Sequence, residues 1–302
     1  MACVRQTQPH ARLIHDNSIL HLQHGPIDLL VSAVGSASSV KTAYHQARQA
    51  FDDVLTTLAK ELPVLRRAIS CLAKERQGVS GPVARRMLQA VSPYSADFVT
   101  PMAAVAGAVA DYVKDAAVLD NPSPRLLVNN GGDIAIYLAS GQSCRLGVCN
   151  DPSTRSGDSI LQLRHVDGVG GVATSGWKGR SHSFGIADAV TVLARDAASA
   201  DVAATVIANT VDLPGSNRVH RTPANDLQPD TDLGNRLVTV RVDSLSSVEI
   251  EMALARGATQ AKQLQQQNLI HSASIHLQGS TFVLKGVTGA SACVYQATGS
   301  ST

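Results

Sequence analysis

Asp201 and Thr205 stand four residues apart in an alanine-rich run, residues 197–211, whose apolar positions Ala200, Ala203, Ala204, Ile207, Ala208 and Val211 recur at helical spacing. A helix there puts both side chains on one face, one turn apart. A carboxylate and a hydroxyl on successive turns are two hard oxygen ligands, suited to Mg²⁺ that shares a phosphate. The plain alternative is a cap and a solvated side chain. Thr174-Ser175-Gly176 breaks the small, β-branched stretch 169–173 and sets two hydroxyls and backbone N–H groups at a strand end; alone it is an ordinary turn. His182 follows, an imidazole that could pass a proton or hold a phosphate. Gly131-Gly132-Asp133 forms a tight turn between strands 126–129 and 134–138, and amides without side chains can converge on an anion such as a pyrophosphate. A double-glycine hairpin with no ligand is the commoner case.

The elements that position these groups read as follows. Residues 11–34 are two strands joined at His24-Gly25-Pro26, with His24 and Asp28 flanking the turn. Residues 41–61 keep strict helical spacing and stop before Pro63; a shorter periodic segment covers 65–72, and Pro82 opens another around Val83, Met87, Leu88 and Val91. Thr100-Pro101 caps a helix of small side chains, which can lie close to a neighbour and so belongs at the centre of the fold. Residues 144–149 and 160–166 add strands, and 189–194 is an apolar run expected to be buried on both faces. Residues 213–236 carry three prolines, two glycines and no period, an irregular loop of the sort that serves as a lid, where Asp226, Asp230 and Asp232 could hold a cation. A strand at 237–242, a helix capped at Ser246 or Ser247 and running to about 267, and a hairpin over 270–277 and 281–285 close the chain; residues 292–302 read as a frayed tail. Strands, then helices, then hairpins, without regular β-α-β alternation, give an α+β fold with mainly antiparallel sheet. No G-x-G-x-x-G opens a helix, so a nucleotide reading does not rest on a Rossmann unit.

Composition excludes several classes. The formal net charge is +2 over 302 residues, with 26 basic and 24 acidic side chains spread along the chain, and aromatics make up 3%. That leaves neither a polyanion footprint nor stacking platforms, so nucleic acid is not an expected partner. The longest apolar run, 101–110, stops at Asp111, too short for a membrane span. Cys3, Cys71, Cys144, Cys149 and Cys293 are odd in number and widely spaced, which reads as reduced thiols in the cytoplasm; the first residues show no secretory signal.

G-V-A-T-S-G, then a histidine, then V-T-V-L-A-R-D-A-A-S-A-D-V-A-A-T resembles the ApbE-like superfamily, best known for FAD:protein FMN transferases. Asn129 to Ile134 is similar to that family's Gly-Gly-Asp turn, Arg145 to Pro152 to its strand ending in Asp-Pro, and Ala104 to Asp111 to its glycine-containing helix; the match runs in order over roughly residues 95 to 212. The wording is nearest to an uncharacterised branch of the superfamily. Two positions depart: Ala106 stands where the transferases have a lysine, and His182 to Asp188 replaces a longer His-x-x-Asp-Pro-x-Thr-Gly run. The resemblance implies one ApbE-like, T-fold-like domain over 1–302, built of two related halves with packed helices and a ligand cleft between them. It also implies Mg²⁺ and FAD or a related flavin nucleotide as ligands, with Asp201 and Thr205 on the metal and Gly131, Gly132, Asp133, Thr174, Ser175 and Gly176 on the nucleotide. His182 is the expected catalytic group. Three functions follow: an enzyme transferring or cleaving at the pyrophosphate, with a protein acceptor; a carrier that binds the flavin nucleotide without chemistry; or, from the uncharacterised branch, an accessory factor in anaerobic sulfur and homocysteine metabolism. A homo-oligomer is compatible with each.

Overall fold

A computed structural model describes residues 8–72, 79–120, 122–148, 159–286 and 296–297. Cys3, Cys149, Cys293, the Asp151-Pro152 pair and the tail residues other than 296–297 lie outside them.

The chain opens with three antiparallel strands, β1 (His10–Ile14), β2 (Ile19–His24) and β3 (Ile27–Val34), rather than the two read from sequence. The reversal between β1 and β2 is made by His15, Asp16 and Asn17, all at positive φ. Short polar side chains tolerate that conformation without glycine, so the turn carries no glycine signal. Along β2 and β3, Leu20, Leu22, Ile27, Leu29 and Val31 alternate with more exposed residues and bury one face.

Helices α1 (Ala37–Phe51), α2 (Val54–Leu65), α3 (Ile69–Leu72), α4 (Pro82–Val91) and α5 (Val105–Ala117) follow. The single helix expected over 41–61 is broken at Asp52-Asp53, and Pro63 sits inside α2. The break was hidden because buried Phe51, Val54 and Leu58 keep the apolar period across it. Pro63 lies in the last turn, where it removes one hydrogen bond and leaves the rest intact. Thr100 does act as a cap, accepting from Met102 N, but over a 3₁₀ turn (Pro101–Ala104) that leads into α5.

Strands β4 (Arg125–Asn130), β5 (Asp133–Leu138), β6 (Ser143–Val148), β7 (Ser159–Arg164), β8 (Gly171–Ser175) and β9 (Ala189–Ala194) precede α6 (Ala197–Thr210). Then come β10 (Val219–Pro223), α7 (Ala224–Leu227), β11 (Leu237–Val242), α8 (Ser247–Gln266), β12 (Ser272–Leu277), β13 (Ser280–Leu284) and β14 (Gln296–Ala297). The stretch 213–236 is thus partly ordered: β10 pairs with β11 as an antiparallel ribbon. Asp232, one of its three aspartates, accepts a hydrogen bond from Thr100 Oγ1.

Nine strands form one sheet in the order β1-β2-β3-β4-β5-β8-β9-β12-β13, with every described pairing antiparallel. Each half repeats one plan, a hairpin, helices, a second hairpin: β2-β3, α1 to α5, β4-β5, and then β8-β9, α6 and α8, β12-β13. The halves join where Ile134 of β5 pairs with Val172 of β8 and Ala135 with Gly171. A three-stranded sheet, β14-β7-β6, adds a second, smaller core around Ile136, Leu146, Leu161 and Leu163.

Every residue of β9 is buried, as expected of an apolar run with no alternation. Helix α6 is buried almost all round, with Asp201 and Thr205 among its few partly exposed positions; a helix without a polar face belongs inside a fold. Its alanines let the neighbours come close. At the crossing with α5, a Cβ on Gly107 would overlap the Ala197 carbonyl and the Ala198 nitrogen, and one on Gly171 of β8 would overlap Ala197 N. No helix among the described residues is long and apolar enough to cross a membrane.

Candidate functional site at the junction of the two halves

The β5–β8 seam and the α5–α6 crossing lie side by side, and the chemically equipped residues gather there. The β4–β5 turn is held by two asparagines. Gly132 N donates to Asn129 Oδ1 at 2.9 Å, and Asn130 Nδ2 donates to the Ala106 carbonyl at 3.1 Å, tying the glycine turn to the start of α5. Gly131 and Gly132 both have positive φ, 67° and 117°, which a side chain would resist. Asp133 follows at the head of β5, and its Oδ1 accepts from Thr174 N of β8 across the seam at 3.3 Å.

From α6, Asp201 Oδ2 accepts the Gly107 N–H at 3.0 Å. Asp133 and Asp201 are near enough to repel, and both carboxyls are raised. Burial pushes Asp133 up to about 7, against the Thr174 amide and the Arg180 guanidinium, which pull the other way. Burial, then the charge of Asp133, holds Asp201 well above the usual carboxylate range, against the amides of Gly107 and Ala106. Two raised carboxyls near a glycine turn form a site that a cation or a proton would stabilise.

The remaining residues expected from sequence are placed around this pair. Thr174 is exposed, and its hydroxyl shares a 2.9 Å hydrogen bond with Thr191 Oγ1 on β9. Ser175 ends β8, half-buried. Gly176 is pressed against the chain at Asp188, where a Cβ would overlap the Asp188 carbonyl. Buried Asp188 then anchors the loop that follows, taking Trp177 Nε1 at 3.2 Å and Lys178 Nζ at 3.1 Å on Oδ1, and Gln278 N at 2.6 Å on Oδ2. The loop folds back so that Arg180 lies over the glycine turn; a Cβ on Gly131 would overlap its Nη2.

Thr205 lies one turn beyond Asp201 on α6. One further turn on, Asn209 Oδ1 accepts from Phe184 N at 2.9 Å and Ser183 Oγ at 3.2 Å. Asp201, Thr205 and Asn209 therefore share a stripe of α6 that runs along the 176–188 loop. His182 is bracketed in the chain by Arg180, over the glycines, and Ser183, against Asn209. Half-buried, its ring has no hydrogen bond or ion pair among the described residues.

Three contributors were not singled out from sequence: Arg180, Asp188 as the anchor, and Asn209. The Gly-Trp-Lys-Gly-Arg run signals a charged loop and nothing of where it lands. Asp133, read as part of the nucleotide turn, is also the partner of Asp201. Among the described residues no group of three or more His, Cys, Asp or Glu could hold a metal ion. A protein contribution of two carboxylates and a hydroxyl still suits Mg²⁺, which commonly keeps waters and takes substrate phosphates for its other positions.

Two large cavities lie elsewhere, one of about 800 Å³ between residues 212–217 and α8, the other of about 540 Å³ between β1 and α1. The first is lined by the Pro214-Gly215 turn, Asp212 and Glu249, but Asp212 is paired with Arg221 and Glu249 accepts from Ser246 N in the cap of α8, so chemistry rather than volume locates the site.

A two-halved antiparallel fold with paired carboxylates at its seam is the class these observations define. A family model described as AbpE bacteria matches residues 11–283, and the chain belongs to that family, within the ApbE-like superfamily. Among curated relatives, a UPF0280 protein of Methanothrix thermoacetophila is 40% identical over 131 residues, 43% of this chain and 52% of its own length. One from Methanopyrus kandleri is 42% identical over 130 residues, covering 42% and 48%, and one from Methanosphaerula palustris is 34% identical over 181 residues, covering 53% and 75%. The chain spans about half the length of the first two of these. Among solved structures, the ApbE protein of Thermotoga maritima is similar with a TM-score of 0.45 at 14% identity, over 91% of this chain and 97% of that one. The flavinyl transferase ApbE of Pseudomonas stutzeri follows with 0.44 at 13%, over 92% and 96%.

Proposed function

We propose that the chain binds a flavin dinucleotide such as FAD at the seam, with Mg²⁺ held by Asp201, Thr205 and Asp133, and acts at the pyrophosphate. The observation that carries this is the meeting of Asp133 and Asp201, from opposite halves, beside the Gly131-Gly132 turn. Mutual repulsion between two partly buried carboxylates is what a bound divalent cation removes, and the cation would neutralise charge on the phosphates. The chain's own residues do the rest. Gly131 and Gly132 let backbone approach the pyrophosphate, Thr174, Ser175 and Gly176 present hydroxyls and amides at the end of β8, and His182 takes or gives the proton of the transferred group. The acceptor would be a protein side chain, as the flavinyl transferase named among the similar structures suggests.

Incubation with FAD and MgCl₂, following FMN and AMP by chromatography, tests the reading. Products that vanish in Asp201→Asn support it, and no affinity for any flavin nucleotide removes it.

A second reading is binding without chemistry. Ala106 leaves no cation on the first turn of α5, and the His182 ring has no described partner to orient it. Tight FAD binding with no FMN or AMP over many hours decides for the carrier.

A further inference from the structure

The cavity between β1 and α1 lies at a free edge of the large sheet, away from the seam. β1 ends the strand order, with β2 on one side and no strand on the other among the described residues. Leu13 pairs with buried Leu20 and so faces α1 with it, yet it is 47% exposed, because the sheet stops there. Across the cavity of about 540 Å³, α1 presents Val40 and Tyr44. Tyr44 is fixed: its hydroxyl donates to the Ser18 carbonyl at 2.6 Å and accepts from Ala33 N at 3.4 Å. The floor is therefore apolar and preformed. Lys41, His45 and Arg48 line the same cavity, at i, i+4 and i+7 on one stripe of α1. Their side chains make no hydrogen bond or ion pair among the described residues, and no acidic residue among these lines the cavity. Arg12, the remaining basic residue there, is taken up by His21, whose Nδ1 accepts from its Nε at 3.0 Å.

We propose that this groove docks an extended, acidic segment of a partner protein, which pairs with the outer edge of β1 and adds a strand to the sheet. An unpaired strand edge offers amides and carbonyls to such a segment, and every second side chain of the segment then faces α1. An apolar side chain at one inward position covers Leu13, Val40 and Tyr44, and an acid at the next inward position meets Lys41 and Arg48. The two unpaired cations select an acidic occupant over a neutral or basic one. A second copy of this chain fits less well. Its β1 edge would bring Lys41 and Arg48 up to their like, and the other free edge of the sheet, β13, reads Ser280-Thr281-Phe282-Val283-Leu284, without an acid and with Lys285 after it. The docking surface is independent of the metal and nucleotide reading of the seam.

The test uses the full chain and fluorescein-labelled peptides built on repeats of Val-Thr-Glu-Thr, which present valine and glutamate in turn on one face. Anisotropy is expected to show binding with a Kd below roughly 100 μM, tightening as salt is lowered. A peptide of Val-Thr-Lys-Thr repeats should not bind measurably. Of two glutamate peptides methylated on alternate sets of backbone nitrogens, one should lose at least about 10-fold and the other little, because only one set faces β1. The double variant Lys41→Glu/Arg48→Glu should melt close to the parent, since neither side chain has a partner among the described residues. It should bind the glutamate peptide at least about 5-fold more weakly and gain affinity for the lysine peptide. No binding of the glutamate peptide to the parent, or equal binding of the two unmethylated peptides, overturns the proposal. So does a glutamate peptide indifferent to methylation of either set; its displacement by octanoate would then make the cavity a site for small apolar anions. A dimer in light scattering that Leu13→Asp dissociates would give the edge to a second copy and overturn the proposal as well.

Discussion

Asp201 on α6 accepts the backbone N–H of Gly107 on α5, so a side chain of one helix caps the first turn of the other. The favour is returned: Asp111 of α5 accepts from Ala198 N at 2.9 Å, in the first turn of α6. Each carboxylate meets amides at the positive end of its neighbour's dipole. The crossing is therefore held by a reciprocal pair of caps, and one member of that pair also faces the glycine turn. Site and scaffold share a residue, and substitutions at the crossing will be felt in both.

The close approach depends on Gly107. A methyl there would run into backbone of Ala197 and Ala198, which cannot swing aside as a side chain can. Gly107→Ala should destabilise the protein by about 2–3 kcal/mol through overpacking, lowering Tm by roughly 5 °C, and should move Asp201 enough to weaken any ligand of the site. Thermal unfolding measures it. An unchanged Tm would mean that the helices do not cross this tightly.

Asp111 predicts a pH dependence. It is fully buried, with Lys114 Nζ at 3.5 Å, and burial outweighs that lysine and the Ala198 amide to raise its carboxyl to about 6. A folded-state value above the unfolded one means that the folded protein holds this proton more tightly. The stabilisation is complete below about pH 4 and is lost as pH rises through about 6, on the order of 2–3 kcal/mol. Asp111→Asn keeps an oxygen for Ala198 N and has no charge to bury, while Lys114 retains Asp115 at 3.0 Å. Chemical denaturation from pH 4 to 7 should show the variant gaining on the parent as pH rises. Parallel curves for the two proteins would refute the assignment.

Much of this was legible in the sequence, and what was not has a physical reason. Local chemistry reads locally: the Asp201 and Thr205 stripe, the glycine turn, the all-buried run of β9, and the Ser246 cap, which proves to be a capping box with Glu249. The break at Asp52-Asp53 and the glycine-free turn at 15–17 escaped because neither disturbs the hydrophobic period or carries the usual turn residues. That Asp201 should face the 131–133 turn came from the family resemblance and not from local pattern, and its pairing with Asp133 in particular was not read. It exists because β5 pairs with β8 and α6 crosses α5, contacts that join residues 41 and 94 positions apart. Arg180 is the extreme case: only the return of a loop pinned by Asp188 puts it over Gly131.

Asp201 can be separated into its two roles. Asparagine retains a carbonyl that accepts the Gly107 N–H, whereas alanine leaves amides of the first turn of α5 unmet, at about 1–2 kcal/mol. Asp201→Ala should therefore lose stability with and without a metal chelator. Asp201→Asn should unfold close to the parent temperature, since it also removes the repulsion with Asp133, yet show FAD affinity that EDTA no longer changes. Thermal shift and anisotropy with MgCl₂ or EDTA give both readouts, and persistent Mg²⁺-dependent binding in Asp201→Asn would take the metal away from this residue.

His182 is the residue for which chemistry and structure are most cleanly divided. Its neighbour Ser183 is held to Asn209, while its own ring makes no hydrogen bond or ion pair among the described residues. Replacement should leave folding alone: His182→Ala is expected to melt within a degree or two of the parent and to bind FAD within about threefold. If the ring passes a proton, FMN and AMP release should fall by about 10²-fold or more. His182→Gln, which can still donate to a phosphate but cannot take a proton, tells positioning from proton transfer: recovery of the parent rate would make the ring a phosphate holder, and a rate as low as that of His182→Ala would make it the acid or base. Turnover in both variants at the parent rate would remove His182 from the reaction.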